Sequence, residues 1–114
     1  MTGHNPLRAV ADAFIAAANA FDVEAALALF TPDAVIDDPS IGHRFEAHAG
    51  IRDYLERYFL GYRTVTRFLS IKRLGEGRAR VRVDFSGDFG HEIGLLALSV
   101  DADGLIVRID ADLE

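Results

Sequence analysis

The chain has 114 residues, a length that fits one domain, and half of them are hydrophobic, enough for a packed core rather than disorder. A net charge of −6 argues against a nucleic-acid surface, and the lack of cysteine excludes disulfides and thiolate metal sites. No run reaches ~18 uninterrupted apolar residues and no basic leader precedes the apolar stretch after Leu7, so the expectation is a cytoplasmic protein with no membrane contact.

Asn5-Pro6 reads as a helix start, with proline in the first helical position. Leu7, Val10, Ala11, Phe14 and Ala18 follow helical spacing, while Arg8, Asp12 and Asn19 fall on other faces, which predicts an amphipathic helix ending near Ala20. Asp22 can cap a second, short helix with Val23, Ala26, Leu27 and Phe30 on one side, and Thr31-Pro32 should stop it. Residues 34 to 38 read as a strand broken by Pro39 to Gly42, with a loop continuing through Phe45. A third helix is expected from about Ala49 to Leu60, with Ile51, Tyr54, Leu55, Tyr58 and Phe59 on its apolar face. Arg52–Glu56 and Asp53–Arg57 are candidate i,i+4 pairs, and Gly61 a candidate C′ residue.

Strand and turn follow. Residues 64 to 74 form one strand, and Gly75-Glu76-Gly77 turns it. In residues 78 to 86, Val81, Val83 and Phe85 alternate with Arg80, Arg82, Asp84 and Ser86. Residues 91 to 100 form the next strand, Asp101 to Gly104 reads as a hairpin, and residues 105 to 113 close the sheet. Helices ahead of a meander imply a single α+β domain over residues 1–114, with helices covering one face of the sheet. A strongly curved sheet with helices across its mouth leaves an apolar pocket.

Val35, Ile36, Asp37 and Asp38 pose the main chemical question. Neighbouring side chains on a strand leave on opposite faces, so one of the two acids points toward the core. A carboxylate in an apolar pocket is placed for general-base or general-acid work. Alternatively, it caps the loop after Pro39 through backbone N–H groups.

The stretches FIAAANAFDVEAALALFTPDAVIDDP, AGIRDYL and DADGLIVRIDA resemble the nuclear transport factor 2-like superfamily, in its ketosteroid isomerase and SnoaL-like branch. The resemblance covers about residues 7 to 113. It implies a cone-shaped fold, with three N-terminal helices packed on a strongly curved, mainly antiparallel sheet. It also implies that Asp38 takes the place of the isomerases' catalytic aspartate. Against that pattern, the tyrosine of the first helix is replaced by Phe14, the acid of a later strand by Leu96, and a supporting tyrosine by Leu55. The acid that SnoaL-like cyclases carry on the last strand is replaced by Ala111, flanked by Asp110 and Asp112. An oxyanion donor contributes ~3–4 kcal/mol, so steroid isomerisation by the usual route is not expected.

What remains implied is a pocket for a small apolar molecule, walled by Phe14, Ile36, Leu55, Tyr58, Phe59, Val83, Leu96 and Leu98. One function is proton-transfer chemistry of the isomerase, dehydratase or cyclase type on a carbonyl-type substrate. Asp38 would then be base and acid, His43 its partner, and no cofactor or metal would be needed. The alternative is a non-catalytic protein binding a small apolar ligand. His4, His48 and His91 read as solvated, and a metal site from His43, His48 and an aspartate lacks ligand-motif spacing. Tyr54, Tyr58 and Tyr62, four residues apart, supply either replacement donors or core packing. Arg78, Arg80 and Arg82 share a strand face with Asp84, and Arg108 shares one with Asp110 and Asp112. These rows suit cross-strand ion pairs, and the resemblance implies a homodimer through that outer sheet face.

Overall fold

The structure, a computed structural model, describes residues 6–114, so the expected Asn5 cap and His4 lie outside the described residues. Helix α1 (Pro6–Asn19) packs its apolar stripe on the sheet, with Ala11, Phe14, Ile15 and Ala18 buried. Helix α2 (Val23–Leu27) starts as expected: Asp22 is its N-cap and accepts a hydrogen bond from Ala25 N at 3.1 Å. It ends earlier than the sequence implied, because strand β1 (Phe30–Asp38) already begins before Pro32.

Strand β2 (His43–Glu46) occupies what was expected to be loop, and pairs antiparallel with β1, Asp38 opposite His43 and Ile36 opposite Phe45. Helix α3 (Ala47–Leu55) continues into a π-helical turn over Glu56–Leu60. Strands β3 (Val65–Gly75), β4 (Arg78–Gly87), β5 (Gly90–Val100) and β6 (Ile106–Leu113) follow. The third helix therefore comes after two strands and is not N-terminal to the sheet. No helix among the described residues is long and apolar enough to cross a membrane.

The six strands form one sheet in the order β2-β1-β6-β5-β4-β3. Every pairing is antiparallel except β1 with β6, where Ile36 lies beside Ile109 and Asp37 beside Asp110. Between sheet and helices sit the wholly buried side chains of Ile36, Ile51, Val81, Val83, Leu98, Ile106 and Ile109. Phe14 meets Phe30 and Phe59 edge-on, at centroid distances of 5.9 and 6.3 Å. Asn19 secures the free edge of the sheet: its side-chain amide accepts from Thr66 N at 2.7 Å and donates to Thr66 O at 2.8 Å, as a neighbouring strand would.

The outer face carries the expected cross-strand pairs. Arg108 reaches Asp37 at 3.0 Å and Asp110 at 2.9 Å. Arg82 holds Glu114 with two nitrogens, and its hydrogen bond holds the Glu114 carboxyl below its usual pKa. Asp84 is buried on this face, between Arg67 at 3.2 Å and His91 at 2.6 Å. The helical pairs differ in part from expectation. Arg57 meets Asp53 at 3.1 Å, but Arg52 turns away from Glu56 to Glu24 of α2 at 2.5 Å.

Candidate functional site

Alternation along β1 sends Ala34, Ile36 and Asp38 inward, while Val35 and Asp37 face out. Asp38 is 6 % exposed and accepts three hydrogen bonds. Ser40 donates to Oδ1 from its backbone N at 3.1 Å and from its hydroxyl at 2.6 Å. The Tyr54 hydroxyl donates to Oδ2 at 2.9 Å. Both sequence alternatives are therefore present in one group, since Asp38 organises the turn after Pro39 and also lines a cavity.

That cavity has a volume of about 290 Å³, near the lower end of the ~300–1,000 Å³ usual for small-molecule sites. Its polar lining is Asp38, Ser40, Tyr54, Tyr58, Tyr62, Thr64 and Glu92. Its apolar lining is Ile41, Phe59, Phe85, Phe89 and Leu113. The last residues of β1, β4 and β6 and the first of β5 come together here, so the cavity opens at one end of the sheet.

The π-helical turn shapes the helical wall. Gly61 N bonds to Glu56 O at 2.9 Å and Thr64 N to Phe59 O at 2.8 Å, both spanning five residues, and the Thr64 hydroxyl donates to Tyr58 O at 2.7 Å. Gly61 has φ −61°, so it is not the left-handed C′ residue expected from the sequence. It is required instead by close approach, because a Cβ there would lie 2.5 Å from Arg57 O. Tyr54 is buried among Phe45, Tyr58 and Phe59, with centroids 4.9 to 5.9 Å away. Burial first, and then the charge of Asp38, push the Tyr54 hydroxyl pKa well above its ordinary value, so it stays a neutral donor.

Asp38, Tyr58 and Phe59 stand in the wall as expected. Phe14, Ile36, Leu55, Val83, Leu96 and Leu98 do not line this cavity but fill the packed core. The reason is positional: they sit under the middle of the sheet, where α1 and α3 pack directly on it. His43 also stands apart. Its ring packs edge-on against Phe45 at 4.6 Å and borders a separate open hollow with Asp37, Pro39 and Arg44. Tyr54, not His43, is the partner of Asp38. His48 Nε2 lies 3.1 Å from Phe30 O. Among the described residues no three His, Asp or Glu side chains cluster as metal ligands.

The SnoaL-like domain family matches residues 11–109, and the chain belongs to that family. No curated protein matches it in sequence. Solved structures do match over nearly its whole length. A candidate ketosteroid isomerase from Kribbella flavida is 21% identical with a TM-score of 0.83, covering 96% of this chain and 78% of its own. A Mycobacterium tuberculosis protein in complex with estradiol-17beta-hemisuccinate is 16% identical with a TM-score of 0.82, covering 95% and 93%. SalBIII, an epoxide hydrolase/cyclase-like enzyme in pyran ring formation in polyether salinomycin, is 14% identical with a TM-score of 0.83, covering 94% and 89%. At these identities the likeness is one of fold.

Proposed function

We propose that this protein binds a small, largely apolar carbonyl-type molecule in the cavity beside Asp38 and moves a proton on it. The observation that carries this is a buried carboxylate, held by Tyr54 and Ser40, at the wall of a cavity lined mostly by aromatic and aliphatic side chains. Proton abstraction next to a carbonyl needs a base within reach of the carbon and a donor for the charge that grows on oxygen. Asp38 supplies the base. The Tyr58 hydroxyl, which has no hydrogen-bond partner among the described residues, stands in the same wall as the donor. His43 has no part in this scheme. Ketosteroid isomerases and cyclases on the same fold support the class of reaction by analogy.

A second reading is a non-catalytic binding protein. It is favoured by the three hydrogen bonds that Asp38 already accepts, which let it serve as a fixed anchor. A designed 17-OHP binder shares the fold at a TM-score of 0.82. Deuterium exchange of the protons next to the carbonyl of 2-tetralone, followed by NMR, separates the two. With Asp38→Asn, exchange should fall by about 10²-fold or more while binding persists. Exchange that is unchanged by Asp38→Asn, or absent from the parent protein, removes the catalytic reading. The outer sheet face, with its Arg108–Asp37 and Arg82–Glu114 pairs, is the face we propose for a homodimer, and sedimentation velocity tests whether a dimer forms.

A further inference from the structure

Among the described residues, the cavity wall holds six aromatic rings and two carboxylates, and no lysine, arginine or histidine. The rings touch in an unbroken belt. Phe85 meets Phe59 at 6.1 Å, Phe59 meets Tyr54 at 5.9 Å, and Tyr54 meets Tyr58 at 5.5 Å. Tyr58 then meets Tyr62 at 6.2 Å, and Tyr62 meets Phe89 at 6.1 Å. Asp38 has neutral donors around it and no cationic partner among the described residues. Glu92, an exposed residue on the β5 side of the wall, has a carboxylate with neither a hydrogen bond nor an ion pair among the described residues.

These features select among ligands by charge. An anion would bring a third negative charge beside Asp38 and Glu92 with nothing to neutralise it. A neutral molecule gains burial against the rings and a hydrogen bond from a lining hydroxyl such as that of Tyr58. A cation gains burial, attraction to the negative faces of the aromatic rings and two acidic partners. The chain's net charge of −6 adds a long-range field of the same sign.

We infer that the ligand of this cavity carries a cationic nitrogen, a protonated amine or a quaternary ammonium, on a compact apolar body. The inference rests on the cavity being a small-molecule site, and not on Asp38 acting as a base. The ammonium group would lie within the aromatic belt, between Asp38 and Glu92, and its apolar part against Ile41 and Leu113.

The test uses three probes of one shape and three charges: choline, 3,3-dimethyl-1-butanol and 3,3-dimethylbutyrate, titrated into the full chain while the tyrosine ring resonances are followed by NMR. Choline should bind about tenfold or more tightly than the alcohol, with the butyrate weakest. Glu92→Gln should cut the preference for choline over the alcohol several-fold. Equal affinity for choline and the alcohol, tighter binding of the butyrate, or a preference that survives both Glu92→Gln and Tyr58→Leu would overturn the inference. Exchange of 2-tetralone is read in the same samples. Choline preference without exchange removes proton transfer and keeps this inference; exchange without choline preference does the reverse.

Discussion

Tyr54 and Asp38 are joined by a hydrogen bond of 2.9 Å that ties α3 to the last residue of β1. Both groups are buried, so each depends on the other for its polar satisfaction. The bond also spends the Tyr54 proton on the carboxylate, leaving Tyr58 and Tyr62 as the lining tyrosines whose hydroxyls have no hydrogen-bond partner among the described residues.

Removing that donor should be costly. Tyr54→Phe keeps the ring packing but leaves Asp38 Oδ2 without its partner, and stability should fall by about 1–3 kcal/mol. Urea unfolding of the two proteins measures it. A change under about 0.5 kcal/mol would mean that the cavity's solvent replaces the hydroxyl without loss.

The pH dependence follows from the raised Tyr54 hydroxyl. Its folded-state value lies above the ordinary 10.0, because burial and the Asp38 charge disfavour the phenolate. The unfolded chain loses this proton first as pH rises. The stabilisation is therefore complete below pH 10.0, declines above it, and is gone once the folded-state value is passed. Urea midpoints above pH 10.0 should drop more steeply for the parent protein than for Tyr54→Phe. Parallel slopes would show that Tyr54 makes no such contribution.

Gly61→Ala places a methyl group 2.5 Å from the Arg57 carbonyl, a backbone atom that cannot swing aside. The π-helical turn must open, and a loss of about 1–3 kcal/mol is expected, with altered ring resonances for Tyr58 and Tyr62. An alanine variant with unchanged stability and spectrum would mean that the turn relaxes freely.

Gly94→Ala acts on the cavity rather than the fold. Its Cβ would lie 2.3 Å from Cε2 of Phe85, which leans across Gly94. A ring can move where backbone cannot, and the cavity is the space beside it. The variant should keep its melting temperature within a few degrees and bind 2-tetralone several-fold more weakly. Adding Phe85→Leu should restore binding. If weakening persists in the double variant, ring displacement is not its cause.

Local chemistry made much of the fold legible. The Asp22 cap, the alternation through β1 and β4, and the Asp101 turn, where Oδ1 accepts from Asp103 N and Leu105 N, all act within a few residues. Strand β2 escaped because only Phe45 among its four residues is buried, and it is strand only through its pairing with β1. The cavity was misplaced for a related reason. Alternation says which face a residue takes, but not where along the strand the layers part. Val83 and Phe85 share a face, yet the first is core and the second lines the opening. The tyrosine spacing was visible, but the direction of the Tyr54 hydroxyl depends on β1, 16 residues away.

The placement of β1 against β6 has a consequence for how the protein is made. Asp37 sits beside Asp110, and its ion-pair partner Arg108 lies 71 residues further along the chain, so the strand bearing Asp38 gains its neighbour on one side only from β6. Helices α1 and α2 and the β3–β4 hairpin close on contacts nearer in sequence, whereas the cavity is walled only once β6 has docked. Loss of β6 thus leaves the acid in place without the pairing that fixes its strand or the wall that Leu113 adds to the cavity.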